Sequence, residues 1–150
     1  MKDKGMRNIL LFRGKGLVTT VVKNKLISNF PGKWVYGGVL DEGKYGVLIL
    51  DGYDGGITHI PVDPKTVGQY TGLLDKNDTK IFKDDIFLCN FRGKKNKCLV
   101  VWEEAGFFVK IITGNYSDGL SPGSWRIWET AYYHRKVIGN IHDNPELLEV

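Results

Sequence analysis

Short runs of β-branched and aromatic residues, each closed by a glycine- or Asx-rich turn, recur along this chain and leave it few folds to adopt. Trp34-Val35-Tyr36-Gly37-Gly38-Val39-Leu40 leads into Asp41-Glu42-Gly43-Lys44. Tyr45-Gly46-Val47-Leu48-Ile49-Leu50 leads into Asp51-Gly52-Tyr53-Asp54-Gly55-Gly56, and Ile57-Thr58-His59-Ile60-Pro61-Val62 follows. Strands spaced about 10 residues apart with such turns are the pattern of a β-sandwich or barrel. β-branched side chains are stiff against a preceding helical turn and pack well on a pleated surface, so the same runs argue against helix.

The remaining runs extend this reading. Residues 7–12 read as a first strand, Arg13-Gly14-Lys15-Gly16 as its turn, residues 17–22 as a second strand and residues 29–33 as a loop. Residues 107–112 and 136–141 read as further strands, and residues 125–133 fit a strand or a helical turn equally. Asn144-Pro145-Glu146 carries an N-cap residue, a proline at the first helical position and an early acid, which predicts a short terminal helical turn.

Residues 87–102 predict a hairpin. Gly93-Lys94 suits a two-residue type II′ turn, with glycine at the first central position. That register sets Cys89 opposite Cys98, Phe87 opposite Val100 and Leu88 opposite Leu99; a five-residue loop over 93–97 is the rival. Both faces of the hairpin are apolar, which predicts a central strand pair covered on two sides. Facing cysteines have the separation a disulfide needs, whereas a reducing compartment keeps them as packed thiols.

Between the two halves lies Val62-Asp63-Pro64-Lys65-Thr66-Val67-Gly68-Gln69-Tyr70-Thr71-Gly72-Leu73, continuing through Asp75-Lys76-Asn77 to Asp85-Ile86. Proline disfavours helix at Asp63. Gly68 and Gly72 within β-type text predict bends or bulges. Asp75-Lys76-Asn77-Asp78 is turn chemistry, because short Asx side chains bond their own backbone. The stretch is a bent crossover ending in a tight turn.

This text resembles the YopX family of phage and prophage proteins. The matching words are Val62-Asp63-Pro64-x-Thr66-Val67-Gly68-Gln69-Tyr70-Thr71-Gly72-Leu73-x-Asp75-Lys76-Asn77 and Ile81-Phe82-x-x-Asp85-Ile86. Phe12-Arg13-Gly14-Lys15, Trp34-Val35-Tyr36-Gly37 and Ile138-Gly139-Asn140-Ile141-x-x-Asn144-Pro145-Glu146-Leu147-Leu148 add to them. The resemblance implies a mostly β fold and a phage or prophage origin, with no established activity. Asp84 departs from it, because the family usually carries glycine before the Asp-Ile pair. The insert between Lys15 and Trp34 is a second departure.

The 150 residues hold 42% hydrophobic and 25% charged side chains, ordinary for one globular domain or two small ones. No apolar run approaches the roughly 20 residues that span a bilayer, and no signal peptide is read, so no membrane partner and the host bacterial cytoplasm are expected. A net charge of +4 favours polyanions only weakly, because phosphate binding needs clustered cations.

The best cluster is Arg92-Gly93-Lys94-Lys95-Asn96-Lys97, at the expected hairpin tip. With Arg135 and Lys136 beside Tyr132 and Tyr133, it predicts a nucleic-acid contact; solubilising a turn and guarding a sheet edge is the bland alternative. Trp125 and Trp128 after a loop predict a self-association patch. Gly14-x-Gly16 lacks the third glycine of a dinucleotide site. Asp75-x-Asn77-x-Thr79 begins like a calcium loop but has Lys80 at the sixth position and Ile86 at the twelfth. Asp84 and Asp85 alternate faces on a strand, and His59, His134 and His142 are scattered. No metal, cofactor or catalytic residue is therefore assigned.

The fold expected is mainly β: N-terminal antiparallel strands with a linker over residues 1–80, packed with a small SH3-like barrel over 81–150. The function expected is that of a non-enzymatic phage or prophage accessory protein that binds itself, a host protein or nucleic acid. The competing classes are a metal-dependent hydrolase or nuclease using Asp75, Asp85 or His59, and a virion component.

Overall fold

The computed structural model describes residues 10–17, 19–22, 25–29, 31–41, 43, 47–51, 58–91, 94–113, 124–126 and 134–149. The protein is mainly β, and it divides into two compact units, Met1–Tyr70 and Thr71–Val150.

In the first unit, β1 (Phe12–Lys15), β4 (Trp34–Asp41), β5 (Val47–Asp51) and β6 (Thr58–Val62) form an antiparallel sheet in the order β6-β5-β4-β1. β2 (Thr19–Val22) and β3 (Lys25–Asn29) pair separately. Val35, Ile60 and Val62 are the core, with Phe12, Val39 and Val67 against it. Of the first strand expected over residues 7–12, residues 7–9 lie outside the described residues, Leu10 and Leu11 are not strand, and Phe12 is. From there β1 runs through Arg13-Gly14-Lys15, the words read as a turn. Gly14 is there for space: a Cβ on it would stand 3.0 Å from the Val62 Cβ and Cγ2 atoms.

The words shared with the resembled family are fastenings. Asp63 caps a single 3-10 turn, Pro64–Thr66, by accepting from the Lys65 amide at 3.0 Å. The Thr66 hydroxyl donates to the Asp63 carbonyl and accepts from the Lys15 amide, and the Asp63 amide donates to the Lys15 carbonyl. The expected crossover is thus tied to β1 by two short hydrogen bonds, and the third closes its own turn. β7 (Gly68–Leu74) then starts beside β1, with Phe12 opposite Gln69, and bends at Gly72 (φ +83°).

In the second unit, β8 (Lys80–Phe82) lies beside the end of β7, where the Thr71 hydroxyl donates to the Ile81 carbonyl. β9 (Asp85–Phe91), β10 (Lys94–Glu103), β11 (Gly106–Thr113), β12 (Ser124–Arg126) and β13 (Lys136–Asn140) form an antiparallel sheet in the order β12-β11-β10-β9-β13. Its ends, β12 and β13, are not joined among the described residues, so no closed barrel is found there. Residues 125 and 126 are strand; 127–133 lie outside the described residues. The terminal turn is 3-10, Pro145–Leu148, and the Asn144 side chain accepts from the Asn140 amide instead of capping it.

The β9–β10 hairpin is central, as its two apolar faces require, but its register differs from the expected one. Phe91 pairs with Lys94, Asn96 with Cys89 and Cys98 with Phe87, a shift of two residues. A two-residue shift leaves every side chain on its original face, so the hydrophobic pattern cannot choose between the two registers. Phe87, Cys89, Cys98, Val100, Val109 and Ile81 form the core either way, with Leu73, Phe107, Ile111 and Val137 packed on it. The cysteines become diagonal neighbours instead of facing partners.

Candidate nucleic-acid interface

Sheet pairing brings distant lysines together. Lys97 on β10 and Lys136 on β13 both pair with Leu88 on β9, one from each side. Side chains opposite one another across a sheet share a face, so both lysines flank Leu88 on the side away from the Phe87 core. Lys95 shares that face, two residues before Lys97, and is exposed like Lys136. Half-buried Leu88 and Leu99 supply the apolar ground between them. Lys97 is held in place, donating to the Glu149 carbonyl at 3.0 Å. An ammonium carries three protons, so that bond leaves donors for an anion.

The other expected contacts divide. Lys94 pairs with Phe91 through the backbone, while Arg92, Tyr132 and Tyr133 lie outside the described residues. Arg135 is only 5% exposed, which removes it from the surface that the strip offers. Trp125 sits on the edge strand β12 opposite Val109, and Trp128 lies outside the described residues.

The acids serve the fold. Asp75 is 1% exposed and accepts from the backbone amides of Asn77, Thr79 and Val137 at 2.8 to 2.9 Å, closing its own turn and fastening it to β13. Burial pushes its pKa up, but the amides outweigh it, and the carboxyl stays below its ordinary value. Asp85 accepts from the Phe82 amide at 2.8 Å and closes the β8–β9 turn. His59 is exposed and belongs to the first unit. Among the described residues, no group of three or more His, Cys, Asp and Glu is placed to hold a metal ion.

Two arrangements escaped the sequence reading. Asp84 has φ +72° and contacts both Lys83 Nζ and His142 Nε2 at 3.0 Å. The signal was the glycine expected at 84, since a left-handed residue prefers glycine. In the first unit, Arg13 and Lys15 approach the Trp34 ring at 4.5 and 5.4 Å from its centroid. Their i, i+2 spacing on a strand was that signal.

No helix of the described residues is long and apolar enough to cross a membrane. No curated protein matches the chain significantly. Among solved structures it is similar to the crystal structure of protein EF1440 from Enterococcus faecalis. That match has 19% identity and a TM-score of 0.40, covering 93% of this chain and 96% of that one. The family model of the YopX protein matches residues 40–149, which takes in the Asp63-Pro64 crossover, the β9–β10 hairpin and the terminal Ile138-Gly139-Asn140-Ile141 words. The chain belongs to the YopX family.

Proposed function

We propose that this protein is a non-enzymatic accessory protein of a phage or prophage, working in the cytoplasm of the host bacterium by binding nucleic acid through the Lys95–Lys97–Lys136 strip. One observation carries this reading: Lys97 and Lys136 are 39 positions apart in sequence yet flank the same Leu88 on one sheet face. Clustered cations of this kind are what phosphate binding needs. The acids Asp75 and Asp85 are taken up by backbone amides, which speaks for turns over catalysis. In this reading the C-terminal unit is a small SH3-like module, supported by a four-strand meander whose fifth strand returns beside the first. Self-association through the β12 edge accompanies it.

The test is binding of labelled single-stranded DNA, duplex DNA and RNA across a salt series. Binding at low salt is expected, and Lys95→Glu with Lys136→Glu weakens it and lowers the salt slope by about 2, roughly one per phosphate contact. Absence of low-salt binding by the native chain ends the nucleic-acid reading. A host protein or a second copy is then sought by pull-down and sedimentation.

A further inference from the structure

Cys89 and Cys98 are the reactive pair that the proposed binding leaves unused. They lie on adjacent strands of the hairpin, on the same face, and their Sγ atoms are 3.0 Å apart. Both are free thiols, Cys89 3% exposed and Cys98 0%. A disulfide has its sulfurs about 2.05 Å apart, so closure takes a movement of about 1 Å. Diagonal cross-strand neighbours are ordinarily at the outer limit for bridging. The right-handed twist of a strand pair shortens one of its two diagonals, and the sulfur separation shows that this pair lies on the short one.

We propose that Cys89 and Cys98 form a modification site: a thiol pair that closes reversibly to an intramolecular disulfide under a peroxide oxidant and locks the β9–β10 hairpin. Cys89 is the attacking sulfur. Its thiolate can accept from the Cys98 S–H 3.0 Å away, a contact that lowers the Cys89 pKa against the effect of burial, whereas Cys98 is pushed up by the same contact and by burial. The Cys89 thiolate attacks one peroxide oxygen; the S–O bond forms, the O–O bond breaks, and the departing hydroxide takes a proton to leave as water. The Cys98 sulfur then attacks the Cys89 sulfenic sulfur. The S–S bond forms, the S–O bond breaks, and a second water leaves with the Cys98 proton. Two thiols and one hydrogen peroxide give one disulfide and two waters.

The experiment uses the full chain. Reduced protein is treated with hydrogen peroxide under native conditions, quenched, denatured, alkylated and weighed intact. The expected result is a monomer that has lost two hydrogens, takes up no alkyl group, recovers two alkylation sites after dithiothreitol, and unfolds at higher urea when oxidised. A chain still alkylated twice after native treatment overturns the proposal. So does a disulfide-linked dimer, or sulfinic acid on Cys89 with Cys98 still alkylated. Cys98→Ala, which removes the resolving thiol, is expected to leave Cys89 over-oxidised. Since wild-type mass alone decides, a variant that fails to fold costs the test nothing.

Discussion

At Asp84 a non-glycine residue holds a left-handed backbone (φ +72°), a conformation that favours glycine. That conformation costs an ordinary side chain about 1–2 kcal/mol, and Asp tolerates it better than most. Here the carboxylate, only 6% exposed, offsets part of the cost through its contacts with Lys83 and His142. Asp84→Gly is expected to leave the urea midpoint nearly unchanged, because relief of strain cancels the lost contacts. Asp84→Ala keeps the strain and loses the contacts, and should destabilise by about 1–2 kcal/mol. Equal losses in the two variants would show that contacts, and not backbone strain, govern the site. Asp75 makes a pH prediction. Its folded pKa is depressed, so its stabilisation is fully present above the unfolded value of about 3.9 and disappears as pH falls through the folded one. Urea unfolding between about pH 5 and 2 should therefore show a loss of stability that Asp75→Asn reduces. Asp75→Ala takes the acceptor from three part-buried backbone amides and should cost about 1–3 kcal/mol at neutral pH.

Among the elements, β13 and the terminal 3-10 turn depend on one glycine. A Cβ on Gly139 would stand 2.8 Å from Asn144 Cγ and Leu147 Cδ1, both belonging to the turn region that folds back over the strand. Gly139→Ala should cost about 1–3 kcal/mol as overpacking and should raise amide exchange at residues 147–149 ahead of the rest of the sheet. Unchanged exchange there would mean that the turn packs independently of Gly139. The β9–β10 hairpin shows what a strand pattern can and cannot specify. Its faces were legible in the alternation of Phe87, Cys89, Cys98 and Val100. Its register was not, because slips by two residues preserve those faces and only the turn distinguishes them.

For the whole molecule, the five-stranded order β12-β11-β10-β9-β13 creates the functional candidate, by laying the late strand β13 against β9. The Lys95–Lys97–Lys136 strip follows from that adjacency alone, so a salt-dependent loss of binding in Lys95→Glu with Lys136→Glu tests the topology as well as the chemistry. A charge-matched variant, Lys76→Glu with Lys80→Glu, at two exposed lysines between the end of β7 and the start of β8, is expected to change affinity less than the strip variant. Equal losses would reduce the effect to net charge.

Local chemistry, read along the chain, was enough for the β class, most strand positions, the Asp75 turn, the central hairpin and the family. Each of these depends on neighbours within a few residues: β-branched stiffness, proline and glycine dihedrals, Asx side chains bonding nearby amides. Tertiary structure alone decided that Arg13-Gly14-Lys15 is strand, that Arg135 is enclosed, that Cys89 and Cys98 meet on a diagonal, and that Lys136 joins Lys97 across Leu88. Those outcomes rest on which strands lie side by side and in what register, and two-residue periodicity carries no information about either.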